Sequence, residues 1–355
     1  MNSKPIYING LGSISIQQPL SFEGIQKPLS YQTPHVRCVE PNYKDYFDAV
    51  QARRLSKIIK RAIVTAKKAV DDSGITMPDA IVTGTGLGCV EDTEKFLDAM
   101  IRNEEKFLQP TFFIQSTHNT ISSQIAIHMN CKGYNNTYIH RGVSFENALL
   151  DAYLLFQRGS IRTALVTGND EMTPNYFILL GRIGYWKQAI RNTRTCITQE
   201  QSKGSFAGEG SVSIMFSDTP SSKSYACLNR MSLLYKPVKP MQQIIREFVA
   251  DCGLNIDDID VCMTGMNADT ENDAVYNSVL QDLFSPNEIG TYKHICGEYY
   301  TSLSYGMLLS AYCIQQGIVP AHCILGGVEK SGVKHILLYN HFRNRDHSLM
   351  LLSTC

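Results

Sequence analysis

The sequence lacks an excess of charge of either sign, lacks paired cysteines and lacks any long apolar run. It carries 33 basic and 33 acidic side chains in 355 residues, so its formal net charge is zero. A protein that grips nucleic acid non-specifically needs a basic excess, and none is present. The 11 cysteines are an odd number, and no two form a CxxC pair. That argues against a disulfide framework and against ordinary zinc-ligand spacing. No segment is apolar over the length that crosses a bilayer, and the opening residues lack a basic and apolar leader. The expectation is a cytoplasmic protein with reduced thiols. What is present is a globular composition, 43% hydrophobic and 19% charged, in a chain long enough for about two domain-sized units.

Helical and extended patterns alternate, which predicts an α/β fold. A short strand is expected over residues 5–10. Leu55, Ile58, Ile59, Ala62, Ile63, Ala66, Ala69 and Val70 form an apolar stripe that predicts a helix over 53–73, ended by Gly74. Arg53, Arg54, Lys57, Lys60, Arg61, Lys67 and Lys68 fall largely off the stripe and read as a solvated face. Strands are expected at 80–83, 137–141, 163–168 and 211–216, with Asp92 capping a helix over 93–103 and a further helix over 145–158. Residues 174–203 read as long and irregular, though apolar at Phe177, Leu179, Leu180, Ile183, Tyr185 and Trp186. The polar run 217–224 suggests a boundary, giving halves 1–220 and 221–355 in one compact unit. The second half repeats the rhythm: a strand at 225–235, a helix at 240–252, a strand at 260–265, helices at 272–283 and 302–316, and a closing hairpin at 335–339 and 348–352. A duplicated α/β unit is the expectation.

Gly84-x-Gly86-x-Gly88 follows a strand, but it lacks the GxGxxG spacing and an acidic ribose partner about 20 residues on. It reads as a tight turn beside another backbone, and no cofactor is expected. His118, His128 and His140 have no metal-ligand spacing, so no metal is expected there. The strand, turn and helix over 137–158 are more informative. They set residue 142 at a helix N-terminus, where backbone N–H groups and the helix dipole would turn a cysteine into a thiolate nucleophile. The residue is Gly142.

At this point the chain resembles the β-ketoacyl synthases of the thiolase superfamily along nearly its whole length. The segments that carry the likeness are Ile6–Gly12, Arg53–Ser56 with the following helix, Ile81–Gly88, Pro110–Ser116, Gly133–Tyr138, the Phe206-Ala-Gly-Glu-Gly210 signature, Asn272-Asp273, and Lys293-x-x-x-Gly297. The resemblance implies a thiolase-like duplicated α-β-α-β-α layered fold. It also implies a Cys–His–His set that condenses acyl and malonyl groups carried by an acyl carrier protein.

The resemblance also exposes three departures. His140-Arg-Gly-Val-Ser144 lines up with the family's nucleophile elbow, so Gly142 stands for the cysteine. Gly265 stands at the first histidine and Glu298 at the second, while Lys293 is kept. An ionised carboxylate at 298 would repel an enolate oxyanion. The glycine-rich gate is replaced by Asn340-His-Phe-Arg-Asn344, with Phe342 as its aromatic. Phe342, Phe206 and Phe113 are candidate acyl-tunnel or gate residues. The resemblance points to a chain-length factor, which lacks the nucleophile and pairs with an active ketosynthase as a heterodimer through the strand at 137–141. Two alternatives stay open. One is an active acyltransferase with a relocated nucleophile, Cys296 or Cys89, served by His140 or His294. The other is a homodimeric module that binds an acyl chain or acyl carrier protein.

Overall fold

The computed structural model describes residues 4–200 and 202–355. Its strands are β1 (Ile6–Ile14), β2 (Ala80–Gly84), β3 (Tyr134–Tyr138), β4 (Thr163–Asp170), β5 (Gly210–Ser217), β6 (Ala226–Tyr235), β7 (Val261–Thr264), β8 (Ile289–Thr291), β9 (Ile318–Val319), β10 (Lys330–Ser331), β11 (His335–Phe342) and β12 (Asp346–Ser353). Ten of them form one mixed sheet in the order β3-β2-β4-β5-β1-β6-β12-β11-β7-β8, and β9 pairs with β10 separately. The order is the same list twice. From its edge inward, the first half runs parallel at β3, β2 and β4, then antiparallel at β5 and β1. The second half runs parallel at β8, β7 and β11, then antiparallel at β12 and β6. The halves join where the first residues of β1 meet those of β6.

Side-chain alternation along the strands sets the layers, since successive residues face opposite ways. Ala80, Val82, Ala164, Val166, Val212 and Ile214 share a core with the helices Ser144–Gln157 and Leu303–Gln316. Ile81, Leu165 and Met215, the residues between them, pack on the helix Lys57–Ser73. The second half does the same. Val261, Met263, Ile336, Leu338, Met350 and Leu352 face the central helices. Cys262, Leu337, Tyr339, Leu349 and Leu351 face the helices Met241–Ala250 and Thr270–Leu280. The result is helices, one half of the sheet, helices, the other half of the sheet, helices, the layered α/β architecture expected from the sequence. β5 and β12 are buried at every residue, and their polar residues, such as Ser211 and Ser213 in β5 and His347 and Ser348 in β12, are buried with the apolar ones.

Several boundaries move. The expected 53–73 helix is two, Ala49–Arg54 and Lys57–Ser73, because Leu55 is extended and Ser56 starts a new helix. Arg61 is not on a solvated face. It is 3% exposed and its guanidinium pairs with Glu40 and Glu209. Asp92 does not cap its helix; the helix starts at Val90 and Asp92 lies buried in the first turn. β3 ends at Tyr138, short of the expected Arg141, whose φ of 48° already belongs to the turn. The stretch 174–203 holds a helix, Pro174–Arg182, with Thr173 accepting from the Tyr176 N–H and Pro174 in its first turn. Its apolar residues lie on all sides, so no amphipathic stripe announces it.

Candidate functional site

The Phe206–Gly210 signature earns its sequence by close backbone approach. A side chain at Gly208 would overlap the Cys296 carbonyl, and one at Gly297, with φ 76°, would overlap Gly208 itself. Without side chains, the two backbones meet. The Glu298 N–H donates to the Phe206 carbonyl at 2.9 Å, and the Gly208 N–H donates to the Glu298 carbonyl at 3.2 Å. Glu209 anchors the far side. Its carboxylate accepts from Arg61 at 2.8 Å, from the Cys38 N–H at 2.9 Å and from the Met172 N–H at 3.2 Å. The Arg61 guanidinium beside it outweighs burial and holds the Glu209 carboxyl below its usual range. The signature therefore fixes where Glu298 can be.

Glu298 lines a cavity of about 500 Å³, with Lys293, Gly142, Asn340 and Phe342 also on its wall. Lys293 Nζ donates to Glu298 Oε2 at 2.7 Å, and Asn267 Nδ2 donates to the same oxygen at 2.7 Å. Glu298 thus sits as one half of an ion pair in which Lys293 is buried. Its oxygen is already engaged by two donors.

The other two positions expected from the resemblance, Gly142 and Gly265, are crowded by neighbours. Gly142 is buried in the turn Arg141–Val143, and a Cβ there would overlap the ring of Phe342. That ring is held by Tyr300, edge-on at 6.2 Å, and by Arg343, whose guanidinium lies 5.4 Å from the ring centre. A Cβ at Gly265 would overlap the Asn340 amide oxygen and come 2.5 Å from the Tyr276 phenol. Tyr276 donates to Asn340 Oδ1 at 3.0 Å, and Asn340 Nδ2 donates to Glu146 Oε1 at 3.0 Å. Burial pushes the Glu146 carboxyl up to about 7, and its second oxygen has no partner. Both features suit a protonated acid.

The structure adds site residues that the sequence reading passed over. His341 lines the cavity and is 5% exposed. Its Nε2 pairs with the Asn272 carbonyl at 3.2 Å, and its Nδ1 accepts from the Asn344 N–H at 3.2 Å. The ring is fixed as a neutral tautomer with both nitrogens used, and burial pushes it down to about 3. It offers no free base. Asp170 ends β4 and ties the Gly86 turn to Thr301: it accepts from the Gly86 N–H at 2.8 Å and from the Thr301 N–H and hydroxyl at 2.7 Å. Tyr176, Leu180, Tyr185 and Trp186 from the 174–203 stretch line the cavity too. Position on the chain gave no signal for Phe342 against Gly142, since 200 residues separate them.

The remaining candidates lie elsewhere. Phe206 is 1% exposed in the core beneath the second half, and Phe113 is 56% exposed, packed on Phe96; neither lines the cavity. Cys296 is buried, donates to the Gly297 carbonyl, and has its thiol pushed well above the ordinary value by burial. That is the opposite of an activated nucleophile. Cys89 is likewise buried and pushed upward. His140 is exposed outside the cavity and His294 is buried behind it.

Residues 32–195, just under half of the chain, match the model of the β-ketoacyl synthase N-terminal domain. A 3-oxoacyl-[acyl-carrier-protein] synthase 2 of Staphylococcus aureus is 25% identical over 146 residues, 39% of this chain and 35% of that protein. The same enzyme of a Synechocystis species is 23% identical over 136 residues, 36% of this chain and 33% of that protein. The match thus spans about a third of those relatives' length. Among solved structures, the ishigamide ketosynthase/chain length factor superposes with a TM-score of 0.82 at 16% identity, covering 99% of this chain and 100% of that one. A β-ketoacyl synthase from Burkholderia phymatum gives 0.82 at 12% identity over 99% and 100% of the two chains. A type II polyketide ketosynthase complex with an acyl-carrier protein gives 0.78 at 13%, over the same shares. Residues 32–195 are thus similar to the β-ketoacyl synthase N-terminal domain, and the whole chain has the fold of solved β-ketoacyl synthase structures.

Proposed function

We propose that this chain is a non-condensing ketosynthase homologue that acts as a chain-length-factor-like partner of an active ketosynthase in type II acyl-chain elongation. One observation carries the reading: the Phe342 ring rests where a side chain at position 142 would project. Acyl transfer at that elbow needs a thiolate, and decarboxylative condensation needs donors aimed at a developing oxyanion. Here an aromatic ring, an amide and an engaged carboxylate stand at those places. Losing several members of one catalytic set is not additive, so restoring a single residue recovers little.

The cavity supports a role in shaping an acyl chain. Its volume lies in the range of small-molecule sites, and Tyr176, Tyr185, Trp186 and Tyr300 give it aromatic walls. β3 is an edge strand of the ten-stranded sheet, an open ladder suited to pairing with a partner's strand. The partners of this reading are an active ketosynthase and an acyl carrier protein. The same reading includes the division into halves at 1–220 and 221–355 and a cytoplasmic setting. No described helix is long and apolar enough to cross a membrane.

The test is co-expression with an intact ketosynthase encoded beside this chain. The expected result is a one-to-one complex, in which Tyr300→Ala changes product length while condensation persists. Condensation by this chain alone would overturn the reading. A stable homodimer that ignores the ketosynthase would overturn it in favour of an acyl- or carrier-binding module.

A further inference from the structure

Directly behind Lys293 lies a cluster that the cavity does not use. His294 follows Lys293 in the short helix Lys293–Cys296, and His322 and Cys323 close the turn Ala321–Cys323. The ligating atoms of these three residues all lie within 4.8 Å of one another, and they form the one such group found among the described residues. His294 is 1% and Cys323 0% exposed, and His322 is partly buried.

From His294, His322 and Cys323 we infer a buried binding site for a zinc-class divalent ion. The spacing is the first argument. His294 Nε2 is 3.0 Å from His322 Nδ1, and Cys323 Sγ is 3.4 Å from the same nitrogen. Two nitrogens and a sulfur around one tetrahedral zinc stand about 3.3 Å and about 3.6 Å apart, from the usual Zn–N and Zn–S lengths. A few tenths of an ångström of relaxation would admit the ion.

The outer partners are the second argument. Metal-bound histidines usually donate their other ring N–H to a carbonyl, a carboxylate or water, which sets the tautomer. His322 Nε2 is 2.7 Å from the Ile25 carbonyl, so it carries the hydrogen and leaves Nδ1 as a lone pair facing the cluster. His294 Nδ1 is 3.4 Å from the Thr291 hydroxyl. Without metal, His294 keeps its hydrogen on Nε2 and donates it to His322. With metal, that hydrogen moves to Nδ1 toward Thr291, and Nε2 becomes a ligand. The Cys323 thiol proton leaves to solvent, and its sulfur binds as thiolate. The net change is one ion bound and one proton released. The thiolate offsets part of the ion's charge, which matters because Arg194 is a cation felt by all three groups. Three protein ligands leave one tetrahedral position for water.

Such an ion would join the segment just after the cavity's Lys293 to the 321–323 turn and, through His322, to the helix Phe22–Gln26. It would stiffen the Lys293–Glu298 loop from behind, and it does not depend on what the cavity binds.

The test uses the full chain stripped with a chelator and titrated with Co2+ and then Zn2+. The expected result is one Co2+ per chain, with a thiolate-to-cobalt charge-transfer band and tetrahedral visible absorption, both bleached by Zn2+. Cys323→Ser should lose the charge-transfer band and bind at least about tenfold more weakly. His322→Ala should lose stoichiometric uptake. Circular dichroism checks that both variants fold, and the near-isosteric Cys323→Ser keeps the test decisive if His322→Ala does not. No stoichiometric uptake by the wild type, or a charge-transfer band that survives in Cys323→Ser, overturns the site.

Discussion

The elbow at 141–144 and the loop at 293–298 face the same cavity but are closed in different ways. At the elbow, an apolar ring covers a residue with no side chain. At the loop, the buried Lys293 is paired with the Glu298 carboxylate. An aromatic cover is held by shape and area, whereas an ion pair is held by two charges that must both stay. The two closures should therefore fail differently, the loop sharply and the elbow gradually.

The largest effect is expected at the loop. Glu298→Ala strands the Lys293 ammonium in a buried place and should cost about 3 kcal/mol, read as a lower denaturant midpoint at unchanged slope. Glu298→Gln keeps an acceptor for Lys293 and should cost less. At the elbow, Gly142→Cys should cost about 2 kcal/mol by overpacking against Phe342. The cost is steric, because the described positive-φ glycines do not include Gly142. Phe342→Ala should relieve it, so the double variant should show a coupling of about 1 kcal/mol in a thermodynamic cycle. Additivity would break the comparison by showing that the ring does not govern the elbow.

A pH profile sharpens the contrast further. Glu146, which holds Asn340 beside Gly265, is pushed up to about 7 from an ordinary 4.5. A raised pKa means the folded state holds the proton longer than the unfolded state does. The associated stability is complete below about 4.5 and is lost as pH rises through about 7. Glu146→Gln should remove that loss. Its stability relative to wild type should climb across this window, by at most about 1.4 kcal/mol per pH unit, followed by denaturant unfolding at each pH. The smallest effect is expected away from both closures. Phe113→Ala, at an exposed ring, should stay within about 0.5 kcal/mol of wild type.

Much of the fold was legible because its strands and helices carry short-range periodicity. β2, β4 and β5, the helix to Gly74 and the closing hairpin appear near their expected places. Residues defined by distant partners were not legible. Arg61 looked like one more solvated base, because its partners Glu40 and Glu209 lie 21 and 148 residues away. The helix Pro174–Arg182 hid behind apolar residues on every side. For the site, ordered motifs pointed to Gly142, Lys293 and Glu298, which share one cavity wall, and to Gly265, which is not among its lining residues, but not to what fills the space around them. Phe342 and Asn340 reach two of those places because β11 pairs with β7 and its end overlooks the elbow. His294, His322 and Cys323 meet only after β8 and the 321–323 turn are folded together, a spacing no metal motif describes.

The proposed role requires that this chain make no carbon–carbon bond and carry no acyl group on a thiol of its own. It is tested most directly by intact mass measurement after incubation with acyl- and malonyl-loaded acyl carrier protein. The account predicts an unmodified mass for the wild-type chain and no condensed product. An acyl adduct that maps to Cys296 or any other cysteine and turns over to product would contradict it.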